Sequence, residues 1–458
     1  MKRKVFYTFY IFSIMLGLFA LFVLMFFRDE KIEADIEQND EEYDYAEELE
    51  QYVSRNFAFR TQAISMFTSF KRNVFASSAV NDVIIGNNGY LFYKDTAADY
   101  SGLNQFTDRE LYNIKKTLEL MEEYVESKGG EFLFAIAPNK NSLYDYMPYN
   151  YIKGQDSSNA ERLMERLDNV NYVDLFEMFE GKDEELYFKT DTHWNDKGAY
   201  YAYEAMQKEL GNEYIDFLST KYDMEKTHVG DLTNMLYPNS QPTEDRIKFA
   251  SKNKFKVLTR TRSYEQAYIE TYNEQGENSL LMFRDSFANN LIEYMSNTYE
   301  YGVYDKNLPY DLTLMDKYES NVVIVSIAER NLKEYLEMAP VMLAPKRDVV
   351  SGSKEENLCI DIEFEMSEYI KVSGCINSEY GASNVDMYIK VGDAMYELTP
   401  VTGQATECGF VGYLEKIDMF AQTSIVVSVD GETYEQEVNI EIEELFKLRT
   451  IEVSICCH

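Results

Sequence analysis

Cations and histidines are scarce in this 458-residue chain. Forty-four Lys and Arg face 80 Asp and Glu, a formal net charge of −36 at pH 7. Such a deficit argues against a nucleic-acid ligand, because phosphate contacts need clustered basic side chains. It also disfavours a polyanionic substrate, which is repelled at long range until salt screens the field beyond roughly 10 Å. There are three histidines, His193, His228 and His458. A metal centre built from several imidazoles is a poor fit, and no metal or other cofactor is expected. The five cysteines, Cys359, Cys375, Cys408, Cys456 and Cys457, all lie late and lack zinc-type spacing. Their pairing cannot be read from spacing, and the odd count leaves one over; disulfides and plain buried thiols both remain open. Internal repeats are absent, and low complexity is confined to one acidic tract, where 12 of the 22 residues from Asp29 to Glu50 are Asp or Glu.

Long apolar runs are missing too, with one exception. Val5 to Phe27 are 23 residues without a charge. As a helix they reach about 34 Å, enough to span a bilayer. The run is too long for a cleaved signal peptide, and "FFRDEK" after it offers no small-x-small cleavage site. Residues 1–28 are therefore expected to form a cytoplasmic tip and signal anchor, with 29–60 an acidic stalk running into a juxtamembrane helix. Lys2, Arg3 and Lys4 precede the span and acidic residues follow it, which places the N-terminus in the cytoplasm and the bulk of the chain outside the cell.

From residue 61 to about 345 the pattern predicts an α/β domain. "VIIGNNGYLFY" (Val83 to Tyr93) reads as a hairpin around Asn-Asn-Gly. Thr107 is placed to cap a long helix that ends at Gly129-Gly130. "EFLFAIAP", "YVDL", "NSLLMFRDSF", "YEYGVY" and "NVVIVSIAER" read as buried strands. Helical stretches alternate with them, including "SSNAERLMERLDN" and "LPYDLTLMDKYES". This alternation predicts a mostly parallel sheet sandwiched by helices, with ligands beyond the C-terminal strand ends. Residues 346–458 lack helical periodicity and break into short alternating runs, which predicts a small all-β sandwich.

Two stretches carry candidate chemistry. Ser286 in "LLMFRDSFANN" follows a buried strand and precedes a helix, so its hydroxyl is exposed where helical N–H groups face a developing oxyanion. The plainer reading is that Ser286 only caps the helix. In "DTHWNDKGAY", His193 has the near-neutral pKa of a general base, and Asp191 two residues earlier is placed to orient it. The plainer reading is a solvated loop histidine. The two motifs occur in one domain with almost no competing histidine, which favours a Ser-His-Asp arrangement. Asp196 is read as a cap or dipole partner of the following helix, Trp194 as packing that fixes the loop, and His228 as structural or substrate-contacting. His458, the terminal residue, is set aside.

"DTHWNDKGAYYAYEAM" and "LLMFRDSFANNL" resemble the signature stretches of the DHHW protein family and the related alginate O-acetylation proteins, members of the SGNH-hydrolase-like superfamily. "NFAFR" (Asn56 to Arg60), "APNKNSLYDYMP" and "GDLTNML" fall in the same order over residues 40 to 335. The resemblance implies a membrane-anchored serine O-acetyltransferase acting on a polysaccharide, with Ser286 as nucleophile, His193 as base and Asp191 as its partner. It also implies a multi-pass membrane acyltransferase as acetyl donor and a glycan-binding role for the C-terminal region. An acetylesterase of the same fold and a non-catalytic glycan-binding surface protein are the alternatives. The superfamily's Gly-Asp-Ser reads Arg284-Asp285-Ser286 here, so its oxyanion hole does not carry over directly. The Ser286 main-chain N–H and Asn139 are candidate oxyanion donors, and Arg330 is placed to reach the site or to pair with Glu329.

Overall fold

The computed structural model describes residues 78, 80–237, 242–250, 252–348, 360–376, 384–402, 408–416, 422–429, 432–438 and 449–455. The expected span 5–27, the stalk, "NFAFR", His458, Cys359, Cys456 and Cys457 lie outside them. Among the described residues, no helix is long and apolar enough to cross a membrane. The chain divides into two compact units, Met1–Val80 with Asn234–Gln241, and Asn81–Thr233 with Pro242–His458. In the smaller unit, Ser78 Oγ donates to the Val80 carbonyl (2.7 Å) and accepts its N–H (3.0 Å), closing a tight turn.

The larger unit is built on a seven-stranded sheet. Its order is Tyr172–Val173, Glu131–Ala137, Val322–Ala328, Glu277–Arg284, Tyr299–Asp305, Tyr268–Tyr272 and Lys256–Val257. The first five run parallel. The last two are antiparallel, so the sheet is mixed rather than simply parallel. The five parallel strands are the ones read from sequence; the most continuous apolar runs, in Glu131–Ala137 and Val322–Ala328, are those covered on both faces. Tyr268–Tyr272 is half-buried and Lys256–Val257 exposed; neither carries a run that marks it.

Alternate residues of each central strand enter opposite cores. Leu133, Ala135, Met282 and Ile324 pack on one face with Ala199, Tyr203 and Met206 of the helix Asp196–Glu209. Phe132, Phe134, Phe283 and Val325 pack on the other with Leu111, Ile114, Leu118 and Met121 of the helix Asp108–Ser127. That second helix starts as expected at Thr107. Thr107 Oγ1 accepts the Glu110 N–H and Glu110 returns the bond to the Thr107 N–H, a reciprocal cap worth about 1 kcal/mol. The hairpin Val83–Tyr93 is present. The stretch 308–320 is helical only over Leu314–Lys317.

The C-terminal strands form one nine-stranded sheet, not two separate ones. Ala394–Val401 joins its halves. Residues up to Leu398 pair with Val385–Val391, and Thr399 onward pairs with Gly409–Leu414. One strand that changes partner midway turns the corner of a curled sheet, and the inward residues of both halves meet in a single core. Cys408 is buried in that core and Cys375 carries a free thiol. Arg347 holds the sheet to the helix Asp108–Ser127. Both its Nη groups donate to Glu123 and its Nε donates to Glu397 at 2.7 Å. Lys116 reaches Glu397 (2.6 Å) and Asp386 (3.3 Å) from the same helix.

Candidate active site

Ser286 lies just past the C-terminal end of the central strand Glu277–Arg284. It is in helical conformation at the start of the 3-10 turn Phe287–Asn290, and its hydroxyl makes no capping bond. Asp285 pins this elbow. Its Oδ1 accepts the Phe287 N–H (2.8 Å), and its Oδ2 accepts the Ala328 N–H (2.6 Å) and Asn331 Nδ2 (2.7 Å). The serine is thereby locked to the end of the neighbouring strand Val322–Ala328. Arg284, standing where the superfamily motif has glycine, turns into the protein. It is 1% exposed and donates to Asn289 Oδ1 and to the Tyr264 and Gln266 carbonyls.

His193 comes to Ser286 on a loop without regular structure, so side chains must order its backbone. Lys140 is buried beneath it and donates to the carbonyls of Phe188 (3.1 Å), Lys189 (3.1 Å) and Asp191 (2.5 Å). Burial brings the Lys140 ammonium down to about 8 against the pull of Asp191, Asp231 and Glu244. Glu244 accepts the N–H groups of Lys189 (2.7 Å) and Thr190 (2.9 Å). Gly230 closes the far side, where a Cβ would meet the Thr190 carbonyl oxygen at 2.1 Å. Past His193, Trp194 is fully buried edge-on to Phe179 and Phe287, which fixes the loop as expected. The cap of the next helix is Asn195, whose Oδ1 accepts from Lys197 and Gly198. Asp196 is instead the first-turn acid and binds Arg246 and the Ile247 N–H.

These loops bring Asp191, His193 and Ser286 into one hydrogen-bonded line. Asp191 Oδ1 is 2.7 Å from His193 Nδ1, and His193 Nε2 is 2.9 Å from Ser286 Oγ. An ionised carboxylate only accepts, so Nδ1 carries the proton, and Nε2 of the neutral ring accepts the Ser286 hydroxyl. Burial alone raises the Asp191 carboxyl, but hydrogen bonds from His193 and His228 hold it well below the usual carboxylate range. Burial pulls the His193 imidazole down, yet the Asp191 hydrogen bond and charge leave it above its ordinary value. Asp191, His193 and Asp231 also offer atoms within 4.8 Å of one another, close enough for a cation. His193 Nδ1 donates to Asp191, and Asp231 accepts from the Thr192 N–H (2.8 Å) and hydroxyl, so these atoms are already engaged in hydrogen bonds.

The Arg330 guanidinium lies over Phe287, 5.1 Å from the ring centroid, and 5.6 Å from that of Tyr93. It has no ion pair among the described residues, with Glu329 or any other acid. Its charge also acts on His193, lowering it slightly. Asn139 is fully buried at the end of the neighbouring strand. Its side chain donates to Asp99 Oδ2 (3.1 Å) and its N–H to Glu329 Oε2 (2.8 Å); no hydrogen bond links it to Ser286. Sequence reading missed Asp285, Lys140, Asp231 and Glu244. Asp285, beside the serine, was the one with a local signal; the others act through distant contacts.

Residues 83–275 match a family model described as the SGNH hydrolase-like domain of the acetyltransferase AlgX. The matched span holds Asp191 and His193 and ends before Ser286. No curated protein sequence matches the chain. Among solved structures, a DHHW family protein from Eubacterium siraeum is 17% identical over 55% of this chain and 92% of its own, with a TM-score of 0.44. PatB1 of Bacillus cereus is 19% identical over 55% of this chain and 97% of its own, with a TM-score of 0.44. AlgX of Pseudomonas aeruginosa is 14% identical over 83% of this chain and 99% of its own, with a TM-score of 0.34.

Proposed function

We propose that this chain, whose residues 83–275 match the SGNH hydrolase-like domain of the acetyltransferase AlgX, is a serine O-acetyltransferase that modifies a polysaccharide outside the cytoplasm. The observation that carries the reading is the continuous line Asp191–His193–Ser286, with contacts of 2.7 and 2.9 Å. A non-catalytic surface protein has no need of it.

Neutral His193 accepts the Ser286 proton at Nε2 as Oγ attacks the acetyl carbonyl of the donor. Asp191 holds the ring in that tautomer and stabilises the imidazolium. The tetrahedral oxyanion develops beside the Ser286 N–H, for which no acceptor is found among the described residues, and beside the cationic Arg330. Asn139 Nδ2 gives one N–H to Asp99 and has a second to offer as oxyanion donor. Collapse breaks the bond to the donor's leaving group, which takes the proton from His193 and leaves acetyl-Ser286. In the second half, His193 deprotonates a sugar hydroxyl, which attacks the acetyl ester and releases Ser286 with its proton restored. Water in place of the sugar makes the same site an esterase.

The remaining architecture is proposed on sequence grounds. Residues 1–28 anchor the chain with its N-terminus in the cytoplasm, 29–60 form the stalk, 61–345 the catalytic domain and 346–458 a region that binds glycan. A multi-pass membrane acyltransferase delivers the acetyl group from its side of the bilayer, and the anchor keeps donor, enzyme and polymer together.

The test is p-nitrophenyl acetate with the full chain. Acetylation of Ser286 by mass spectrometry and a fall of roughly a thousandfold or more in Ser286→Ala are expected. Equal turnover by that variant and wild type sinks the reading. Adding an oligosaccharide acceptor separates the two fates, since transfer yields acetylated sugar and hydrolysis only acetate.

A further inference from the structure

Asp191 is shared by two imidazoles. His193 Nδ1 takes Oδ1, and His228 Nε2 lies 2.9 Å from Oδ2. Because the carboxylate only accepts, His228 donates from Nε2–H. The main-chain N–H groups of His193 (2.9 Å, to Oδ1) and Asp231 (3.0 Å, to Oδ2) bring the donors on this one carboxylate to four. His228 ends the strand Tyr222–His228 and is itself held in place. Its ring stacks on Phe188 with centroids 3.7 Å apart and planes 15° apart, and its side chain is 17% exposed. Phe188 belongs to the loop that Lys140 and Glu244 organise, so one loop carries both the triad base and the plate that seats the second histidine.

We propose that His228 is a positioning residue of the acyl-transfer site, holding Asp191 so that Oδ1 faces His193 and drawing negative charge away from that oxygen. The inference rests on the Ser286–His193–Asp191 reading. Hydrogen bonds to a carboxylate lower its affinity for a partner's proton. Without the His228 donor, Asp191 bears more charge toward His193, which then keeps its own proton to higher pH. The other charged groups around the pair are Asp231, whose Oδ2 is 3.7 Å from His193 Nδ1, Arg330 over Phe287, Lys140 on the Asp191 carbonyl, and Glu244, paired with His228 across the hairpin. Besides His228, Oδ2 accepts the Asp231 main-chain N–H, and none of these charged side chains donates to it.

Two variants of the full chain separate donor from ring. His228→Phe keeps an aromatic face for Phe188 and removes the N–H. His228→Gln keeps an N–H donor and removes the ring. With p-nitrophenyl acetate, His228→Phe is expected to lower kcat/KM by roughly ten- to a hundredfold, the effect of one hydrogen bond to a charged group. The acid limb of its pH profile moves up by about half to one unit. His228→Gln restores most of the rate and the wild-type limb. The His193 titration, read by NMR in the same proteins, reports the shift without turnover and so decides the matter even where the ester is a poor donor. A wild-type limb and titration in His228→Phe overturns the inference. So do equal losses in both variants with an unmoved limb, which mark His228 as packing only. Ser286→Ala measured alongside keeps the two claims apart. If it matches wild type, the triad reading fails; if it is dead while His228→Phe is unchanged, only the role of His228 fails.

Discussion

Glu329 is a buried titratable group next to Arg330. It is 4% exposed, between Asn139 and Ser142. Burial pushes its carboxyl up to about 7, although the bonds from Ser142 (2.6 Å) and the Asn139 N–H oppose the shift. With its carboxyl at about 7, Glu329 is only partly ionised near neutral pH and does not fully offset the neighbouring Arg330 charge over Phe287. The folded state binds this proton more tightly than the unfolded chain does. The associated stability is therefore fully present below the ordinary glutamate value and is lost as pH rises toward 7, by up to about 3 kcal/mol. Glu329→Gln keeps an acceptor oxygen and removes the titration. Urea unfolding should show wild type losing stability between pH 5 and 7.5 relative to the variant; parallel curves would mean the carboxyl ionises normally in the fold.

Among elements, the loop 188–193 has no helix or strand of its own and carries Asp191 and His193. Its shape comes from a buried ammonium, a carboxylate and a glycine contributed by three other segments. Lys140→Met removes the one donor that serves three of its carbonyls. The Lys189 carbonyl keeps the Leu91 N–H, but leaving the Phe188 and Asp191 carbonyls unpaired in a buried place is expected to cost roughly 3 kcal/mol. Ester turnover should fall with it, because Asp191 is one of the three. Denaturant unfolding and the acetylation rate check both; a variant as stable and as active as wild type would show that the loop holds its shape unaided.

At the scale of the whole molecule, the C-terminal sheet meets the α/β part through charge as well as packing. Arg347, Glu123, Glu397, Lys116 and Asp386 form one network, in which Glu397 is 3% exposed. Partly exposed pairs contribute little singly, and networks somewhat more. Arg347→Ala is expected to lower stability by about 1 kcal/mol, roughly 2–4 °C in Tm, and to leave turnover of a small acetyl ester unchanged. A large loss of ester turnover would instead tie this interface to the end of the sheet that carries Ser286.

Much of this was legible in the chain itself. The central strands Glu131–Ala137 and Val322–Ala328 declare themselves because burial on both faces requires apolar runs, and the Thr107 cap because its partner Glu110 is three residues away. Asp191, His193 and Ser286 were singled out by two local motifs, each of which alone also allowed a plain structural reading. Tertiary structure decided the rest. The edge strands Tyr268–Tyr272 and Lys256–Val257 carry too little apolar surface to mark, and the curl of the C-terminal sheet follows from one strand changing partner. The contacts that order the site join residues far apart: Asp191 and His228 at 37 positions, Lys140 and Asp191 at 51, His193 and Ser286 at 93. Local spacing governs helices and strands. Which oxygen of Asp191 faces which histidine depends on folded neighbours that no spacing along the chain encodes.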